Sequence, residues 1–587
     1  PIFLVILFLV FHLTFSENLF WFGGLFTANG VKPVFEGTMF EGLFWTQSGI
    51  NSPGVILTNF LTNILDAISG AIATGLANAG AYSWAQGLIV DGVVGGLFAV
   101  LGFLPQILCL FLFFSILEDT GYMARVAFIL DRIFRKFGLS GRAFMPMIMG
   151  FGCSLPAMIN TRTLADEKEK IATIRVIPFF SCGAKLPILT AIAGGIVSKF
   201  GIGNADVITY SMYLVGMVTA IVTVIVMRNT SLRGKVPPFI MELPAYHAPK
   251  FSSLMIHLWD KVKGFVKKAF TIIFASTIVI WFLSNFGWDW RMCDMSESIL
   301  ASLGKLIQPL FTPLGFGVQL SEWGWVFAVA ALTGLVAKEN VIATFFSLAT
   351  AVVATKFQFV SADFTQALAI LGSEEIGGNL SVISEILKVA INGNTADSIT
   401  ALGKTLAEFE LDANLISSIT EALTNGNAQN AVNIYVASLE GVDAATSATI
   451  SSGIADMLSQ GTSILDYLDV IFATGQTESG VSEAVVMMDA TGITVPGLLS
   501  FIAFNMTTIP CFSACATAKA ELPKKAFWPT ILFWVVTSFI VGSLIYCLGT
   551  VEFLPWSIPL FVILGGLMVA GIIIYNRKMN AKEKEAC

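Results

Sequence analysis

The residues of this sequence best suited to chemistry are thiols that stand beside proline or glycine in strongly apolar stretches. Cys153 lies in Gly150-Phe-Gly-Cys-Ser-Leu-Pro156, whereas Cys182 and Cys511 each follow a proline within four positions. Thiolate is a soft ligand that suits a borderline divalent metal and suits Mg²⁺ or Ca²⁺ poorly. Because proline has no N–H, each break also leaves a backbone carbonyl without its helical partner. The pattern favours a transition-metal site at broken helices.

Other polar residues near these breaks extend the candidate set. Glu339 and Asn505 are the strongest of them, and Cys515 stands four residues after Cys511, so the two thiols share a face if the segment is helical. Weaker candidates, which could equally lie at the membrane interface or serve in packing, are Ser154, Ser181, Glu118, Asp119 and Glu521. Only three histidines are present, which excludes a His-rich metal site.

Packing and interfacial positions are the alternatives to a ligand role. Small residues mediate helix contacts in membranes, and we expect only that role for Cys109 and Cys547, which have no polar neighbours. A charge at the bilayer centre costs roughly 2.5 to 3.5 kcal/mol on insertion scales. The charged residues near the breaks could therefore lie at the cytoplasmic interface instead, and this applies to Lys185, Lys338 and Lys519 as well as to the acidic candidates.

The chain that positions these residues has the composition of a polytopic membrane protein. Of its 587 residues 55% are apolar and 12% are charged, whereas soluble domains carry about a quarter charged residues. This composition argues against a water-soluble enzyme, and eight cysteines do not form a disulfide framework in so long a chain. The sequence begins with Pro1 inside an apolar run, so we expect it to be cut from a longer chain.

Ten apolar segments predict about eight to ten membrane segments, since a spanning helix needs about 20 apolar residues. They are 1–15, 93–117, 143–160, 176–197, 207–227, 269–287, 323–355, 491–518, 526–548 and 554–576. Lysine and arginine are concentrated in residues 119–142, 161–175 and 228–268 and after Tyr575. These segments are predicted to be cytoplasmic, as is the C-terminus. Residues 16–92, 288–322 and 549–556 carry few basic residues and are predicted to face outward.

Two apolar segments must be broken for this assignment to hold. Residues 119–142 and 161–175 are both predicted to be cytoplasmic, so residues 144–160 should enter the membrane and return as a hairpin. Residues 323–355 are too long for one crossing and should turn near Lys338-Glu-Asn340. Irregular backbone at membrane depth is tolerated only where protein or a watery cavity covers it. Both turns therefore point to a cavity.

An acidic insert interrupts the apolar pattern. Residues 361–490 hold 17 acidic residues against two lysines, which leaves 31 basic and 23 acidic residues elsewhere. Leucine and isoleucine recur there at helical spacings, which predicts a small helical, extracytoplasmic domain over 356–490. Gly403-Lys-Thr405 resembles the end of a phosphate-binding loop, but Ser398 stands where the first glycine is required.

The segments around the thiols form an internal repeat. Pro178-Phe-Phe-Ser-Cys-Gly-Ala-Lys-Leu-Pro187 matches residues 510–523 with short insertions, and Leu117–Gly121 weakly matches Leu335–Glu339. Duplication with broken membrane helices is typical of secondary transporters, whose sites lie at the repeat interface. The predicted organisation is a first span and outer segment (1–92), a first repeat (93–227), a linker with a span and outer segment (228–322), a second repeat (323–355 and 491–548) around the insert, and a last span with its tail (549–587).

Several of these motifs resemble the membrane region of the bacterial ferrous iron transporter family FeoB. They include Leu117-Glu-Asp-Thr-Gly-Tyr-Met-Ala-Arg125, Gly150-Phe-Gly-Cys153, Pro178-Phe-Phe-Ser-Cys-Gly-Ala184, Gly334-Leu-Val-Ala-Lys-Glu339 and Phe504-Asn-Met-Thr-Thr-Ile-Pro-Cys511. The resemblance covers the chain apart from the insert. It implies two gate motifs whose cysteines, Cys153, Cys182 and Cys511, line an Fe²⁺ path. Cys515 is not part of that resemblance.

The resemblance also implies cofactors, partners and location. The family carries an N-terminal GTPase domain, and no Gly-x-x-x-x-Gly-Lys-Ser/Thr loop occurs here. GTP and Mg²⁺ would therefore act only through a domain in cis or in trans, and this chain would not itself be an enzyme. No permanently bound cofactor and no nucleic acid are expected. Expected partners are Fe²⁺, the bilayer of the bacterial inner membrane, that GTPase, small accessory Feo proteins and a second copy of the chain.

Two other functions remain open at this point. Duplicated gates could move a nucleoside or another polar solute, which would need amide and aromatic groups more than thiols. A non-transporting scaffold or signalling subunit could dock partners through the basic loops, above all residues 228–268. A membrane-embedded enzyme is weaker, because no Ser/His/Asp or Asp/Asp arrangement suggests itself.

Overall fold

The computed structural model describes most of the chain between residues 2 and 550. The described stretches are 2–15, 45–46, 49–78, 82–230, 271–293, 295–317, 323–336, 340–356, 362–371, 379–393, 395–409, 411–439, 442–472 and 481–550, together with 232, 252, 254–256, 258–259, 263 and 338. The predicted span 554–576, most of the basic segment 228–268 and Glu339 lie outside the described residues.

Apolar runs bounded by glycine, proline and polar caps form the helices of the first half. They are Ile2–Phe15, Pro53–Asn78, Ser83–Gly87, Gly95–Asp119, Tyr122–Lys136, Phe144–Gly152, Ser154–Asn160, Glu167–Val176, Leu186–Phe200 and Ala205–Asn229, with π-helical Leu88–Val94 before Gly95. Gly201 ends one of them at a φ of 63°. Asn204 then caps the next, because its side chain accepts a hydrogen bond from the Asp206 N–H.

The second half of the chain is also helical, and the insert is a run of short helices. The helices outside the insert are Thr271–Asn285, Ile299–Phe311, Val326–Val336, Asn340–Lys356, Val495–Thr507, Phe512–Glu521 and Phe527–Gly549. Those of the insert are Ala362–Leu371, Leu380–Ile391, Ala396–Glu408, Ala413–Thr424, Ala428–Ser438, Ala444–Ser459, Leu465–Phe472 and Val481–Thr491. The all-α prediction is confirmed, and the described strands are only the antiparallel pair Trp45–Thr46 and Gly49–Ile50.

Several of the predicted membrane segments coincide with apolar helical segments that are long enough to span a membrane. By length and composition the described candidates are the helices Pro53–Leu76, Ala205–Asn229 and Phe527–Gly549 and the segments Glu167–Phe200 and Val495–Glu521, each of which contains a break. The pair Leu104–Asp119 and Tyr122–Arg132 adds one more if it is a single span bent by 79°. Gly121 makes that bend at a φ of 73°, which a residue with a side chain rarely adopts.

One long helix is absent from the sequence-based assignment. Residues 16–92 carry a single lysine and are predicted as an outer segment, yet Pro53–Asn78 is a helix of 26 residues. Threonine, asparagine and Asp66 are scattered through it and lower its hydropathy, which is why no span is predicted there. The helix still packs against Gly95–Asp119, and tertiary packing of this kind supplies most helical stability in proteins.

The insert and the membrane helices share one hydrophobic core. A single cluster of buried side chains runs from Val326, Phe327 and Phe501 to Ile383, Leu423 and other residues of the insert. A second cluster holds the first repeat together with Ala514, Ala518 and Trp534 of the last helices. The same cluster includes Ile188 and Ile192 of the first repeat, so the insert packs on helices of both repeats.

Candidate functional site

Cys153 interrupts a helix and turns the chain back on itself. Phe144–Gly152 ends at Cys153, whose φ of −155° and ψ of 129° are extended, and Ser154–Asn160 begins directly after it. Asn160 Nδ2 donates to Met149 Sδ over 3.1 Å although eleven residues separate them, a contact that a straight helix would not allow. Gly152 is needed there, since a Cβ would lie 2.3 Å from Leu110 Cδ2. The predicted hairpin in residues 144–160 is thus present.

The second break surrounds Cys182. The 3₁₀ turns Ile177–Phe179 and Gly183–Lys185 flank extended backbone, and Pro178 stands at the start of the first turn. Phe180 contacts the hairpin, because its ring centroid lies 5.0 Å from that of Phe151. The break of the first repeat therefore packs directly against the Cys153 hairpin.

The third break separates Val495–Thr507 from Phe512–Glu521. Thr508 and Cys511 have extended ψ values of 178° and 155°, and Pro510 between them has no N–H to continue the helix. Cys511 caps the second helix, and Cys515 lies one turn into it with its Sγ 3.4 Å from the Pro510 carbonyl oxygen. The break therefore presents its two thiols on one turn, as the spacing predicts.

Lys185 joins the second break to the third. Its Nζ donates to the carbonyl oxygens of Pro178 at 2.8 Å and Met506 at 2.6 Å. Beside it, Ser181 Oγ lies 3.4 Å from Met506 Sδ. All of these groups are buried. The breaks of the two repeats therefore meet inside the protein, as the repeat predicts.

Lys338 brings a fourth break to the same place. It lies between Val326–Val336 and Asn340–Lys356, at the predicted turn, and it is 3% exposed. Its ammonium group interacts electrostatically with Lys185 and with the thiols of Cys182, Cys511 and Cys515. Lys185 likewise interacts with the thiols of Cys182 and Cys511. Two buried lysines and three half-buried thiols from both repeats thus lie near one another between the breaks.

Asn505 lies near these lysines and thiols as well. It is 2% exposed, and its Nδ2 donates to the Phe501 carbonyl oxygen at 3.0 Å. Its Oδ1 is buried without a hydrogen-bond partner among the described residues, and so is Lys338 Nζ. Both side chains approach Gly334. An unused acceptor and an unused donor therefore belong to side chains that lie beside Gly334.

The predicted ligands are brought together only in part. Cys182, Cys511 and Asn505 lie near one another, and Cys515 joins them. Cys153 instead packs beside the apolar cluster of Phe111, Leu155 and Leu258. Over the described residues, no group of three or more His, Cys, Asp or Glu side chains is arranged to hold a metal ion. With Glu339 outside those residues, the metal ligand set stays a prediction.

The weaker candidates have mostly structural surroundings. Ser154 and Ser181 are buried, whereas Glu118 is exposed and Asp119 is half-buried at a helix end. The Glu521 carboxylate accepts from Arg162 Nε at 2.8 Å and Nη2 at 2.5 Å, and from Lys170 Nζ at 3.2 Å. These ion pairs tie Phe512–Glu521 to the first repeat, so they account for Glu521 without a ligand role.

Lys185 and Lys338 are site residues that sequence reasoning did not include among the candidate ligands. It offered an interfacial position for Lys185 and Lys338, and both are buried between the breaks. A signal was available, because an ionisable residue within a membrane segment marks a functional site by default.

Parts of this chain match two known protein families. Residues 100–196 and 266–384 match the Gate family, described as "Nucleoside recognition", and residues 209–261 match the "Ferrous iron transport protein B C terminus" family. The Fe(2+) transporter FeoB of Staphylococcus aureus (strain COL) is 37% identical over 317 residues, which are 53% of this chain and 45% of that protein. No solved structure matches significantly.

A second relative leads to the same family. The Fe(2+) transporter FeoB of Salmonella typhimurium is 38% identical over 291 residues, 49% of this chain and 37% of that protein. The chain thus spans less than half the length of these curated relatives. Over the matched residues the chain is therefore similar to the Fe(2+) transporters FeoB and to the Gate and ferrous iron transport protein B families.

Proposed function

We propose that this helical bundle conducts ferrous iron into the cell across the bacterial inner membrane. The observation that carries the proposal is the bridge from Lys185 Nζ to Pro178 and Met506, which joins the Cys182 break of the first repeat to the Cys511 break of the second. The relatives are named Fe(2+) transporters. Fe²⁺ is a borderline cation for which thiolate and carbonyl ligands are suitable, and broken helices supply both.

The site would act by replacing the water around the ion. Cys182, Cys511 and Cys515 would offer sulfur, Asn505 Oδ1 would offer an amide oxygen, and Glu339 and Cys153 are the further predicted ligands. Weak and successive contacts allow an ion both to enter and to leave. The acidic insert could raise the concentration of cations at an outer mouth. The simpler explanation of its acidic residues is that they keep the surface of the insert solvated.

Partners and location belong to the same proposal. A GTPase in cis or in trans would supply GTP hydrolysis with Mg²⁺, and the membrane region itself would hold no permanent cofactor. Small accessory Feo proteins and a second copy of the chain are further proposed partners. The concentration of basic residues in the loops supports a cytoplasmic C-terminus.

Matched cysteine variants test the iron path. Cys182→Ala and Cys511→Ala should each reduce Fe²⁺ uptake by about tenfold or more in cells that lack other iron importers, since each removes a soft ligand. Cys547→Ala is the control, because Cys547 is buried in Phe527–Gly549 away from the breaks. Normal uptake by both site variants at wild-type expression would defeat the proposal.

A second candidate function is transport of a nucleoside or another polar solute. The Gate family description favours it, and so does the unused amide oxygen of Asn505. Competition separates the two: excess Mn²⁺ should block Fe²⁺ uptake if the cargo is a cation, and excess uridine should not. Uptake of labelled uridine that depends on Asn505 would favour the second function.

A further inference from the structure

An amphipathic helix lies within the longest basic loop of the chain. All of its described residues are helical, namely 252, 254–256, 258–259 and 263. Leu254 and Leu258 are buried, whereas Met255, Ile256 and Trp259 are 41%, 60% and 67% exposed. Apolar side chains therefore occupy two adjacent faces of this helix, one packed against the protein and the other exposed.

The buried face of the helix contacts the first repeat. Leu258 belongs to a small cluster with Phe111 and Leu155, and Cys153 packs against that cluster. Phe111 lies eight residues, roughly 12 Å of helix, before the end of Gly95–Asp119 that is predicted to face the cytoplasm. The helix therefore lies near the boundary between headgroups and acyl chains, which is the depth of an in-plane membrane helix.

The exposed face borders an apolar groove. The groove has a volume of about 750 Å³ and lies between this helix and Gly95–Asp119. Its lining is apolar apart from Ser252 and includes Leu104, Leu108, Met255, Ile256, Leu258 and Trp259. Exposure of so much apolar surface to water is unfavourable. On a multi-pass membrane protein, a groove at this depth instead suits a lipid acyl chain.

The charge of the same segment selects the headgroup. Residues 250–268 contain five lysines and one aspartate. Lys263 is helical and exposed, and it stands four residues after Trp259, so the two share a face on successive turns. Its ammonium group can extend to the phosphate level while its carbon stem stays on the apolar surface. Clusters of lysines beside membrane helices attract anionic lipids.

We propose that this helix and groove form a binding site for an anionic phospholipid of the leaflet that the basic loops face. One acyl chain lies in the groove beside Leu104 and Leu108, and the phosphate lies near Lys263. The bound lipid holds the helix against the first repeat, next to the hairpin that carries Cys153. The inference goes beyond the proposed function and does not depend on the identity of the cargo.

Fluorescence of Trp259 in lipid nanodiscs tests this site. The difference in emission between the wild-type chain and Trp259→Phe isolates this residue among the twelve tryptophans. Lipids with brominated acyl chains quench a tryptophan that they touch. At equal mole fraction, brominated phosphatidylglycerol should quench Trp259 about twofold or more as strongly as brominated phosphatidylcholine. Lys263→Gln should reduce that excess, whereas Lys404→Gln, at an exposed lysine of the insert, should leave it unchanged.

Salt and a water-soluble quencher complete the test without a variant that must fold. Because the attraction to the headgroup is electrostatic, about 0.5 M NaCl should bring quenching by the two lipids to the same level. Equal quenching by both lipids at low salt overturns the preference for an anionic lipid. The absence of quenching by either lipid overturns the site, and quenching by acrylamide alone would indicate a water-facing surface that suits a partner protein. None of these outcomes measures iron uptake, so the proposed function is tested separately.

Discussion

At the scale of single residues, the site depends on which hydrogen bonds the ammonium groups of two buried lysines make. Lys185 donates to two carbonyl oxygens at the breaks, and the Met506 oxygen has no helical donor because Pro510 lacks an N–H. Hydrogen bonds that involve a charged group contribute about 1.5 to 3 kcal/mol each. The thiols are therefore held in place by a residue that is not itself a predicted ligand.

Replacing Lys185 tests this anchoring. Lys185→Met should lower the free energy of unfolding by about 2 to 4 kcal/mol, because the Pro178 and Met506 carbonyl oxygens lose their donor. Thermal unfolding in detergent measures the change as a lower Tm. Lys404→Met is the control, since Lys404 is exposed on the insert. A Lys185 variant as stable as this control would contradict the anchoring role.

At the scale of elements, ion pairs join the two repeats on both sides of the breaks. Glu521 at the end of Phe512–Glu521 binds Arg162 and Lys170 of the first repeat. Asp489 of Val481–Thr491 binds Lys199 at the end of Leu186–Phe200 and Lys356 at the end of Asn340–Lys356, both at 2.9 Å. Tyr467 also donates to Asp489. These two groups of ion pairs, the Glu521 clamp and the Asp489 clamp, each hold elements from both repeats together.

Single substitutions of Glu521 and of Arg162 test the Glu521 ion pairs separately. Glu521→Gln should cost about 1 to 2 kcal/mol of stability, because the carboxylate is 4% exposed and would leave two cations unpaired. Arg162→Gln should cost less, since Arg162 is 62% exposed and its pair is screened by solvent. Unfolding of both single variants and the double variant measures the coupling. Equal losses for the two single variants would refute the ranking.

The sequence predicts the breaks well and the packing between them poorly. Proline, glycine and charge counts place the turns at Cys153, Lys338 and Pro510, because those residues act locally on the backbone. The burial of Lys338 and the helix Pro53–Asn78 depend on distant partners, which no local pattern reports. The same holds for the core that the insert shares with Phe501. The ligand role of the thiols stays a prediction.

At the scale of the whole molecule, the Asp489 clamp makes the attachment of the insert sensitive to acid. Burial alone raises the pKa of Asp489, but hydrogen bonds from Tyr467, Lys199 and Lys356 lower it below its ordinary value. The carboxylate therefore stabilises the fold at pH values above the ordinary pKa of about 3.9. That contribution is lost as the pH falls from there toward the lower folded-state pKa.

Asp489→Asn tests the acid dependence. The variant should be less stable than wild type by about 1 kcal/mol near neutral pH, a modest figure because the side chain is 34% exposed and screened. The difference should shrink as the pH falls below about 4. Hydrogen exchange of the insert helices at several pH values measures it. A difference that grows in acid would show that the carboxylate is not the stabilising form.

The Lys185 bridge also has a consequence for biosynthesis. Lys185 and Met506 are 321 residues apart, and ribosomes add about 5 to 20 residues per second. The first half must therefore wait in the bilayer for on the order of half a minute with this ammonium group lacking one of its two acceptors. During that interval a nascent chain presents an incompletely paired charge that insertion chaperones and membrane proteases could recognise.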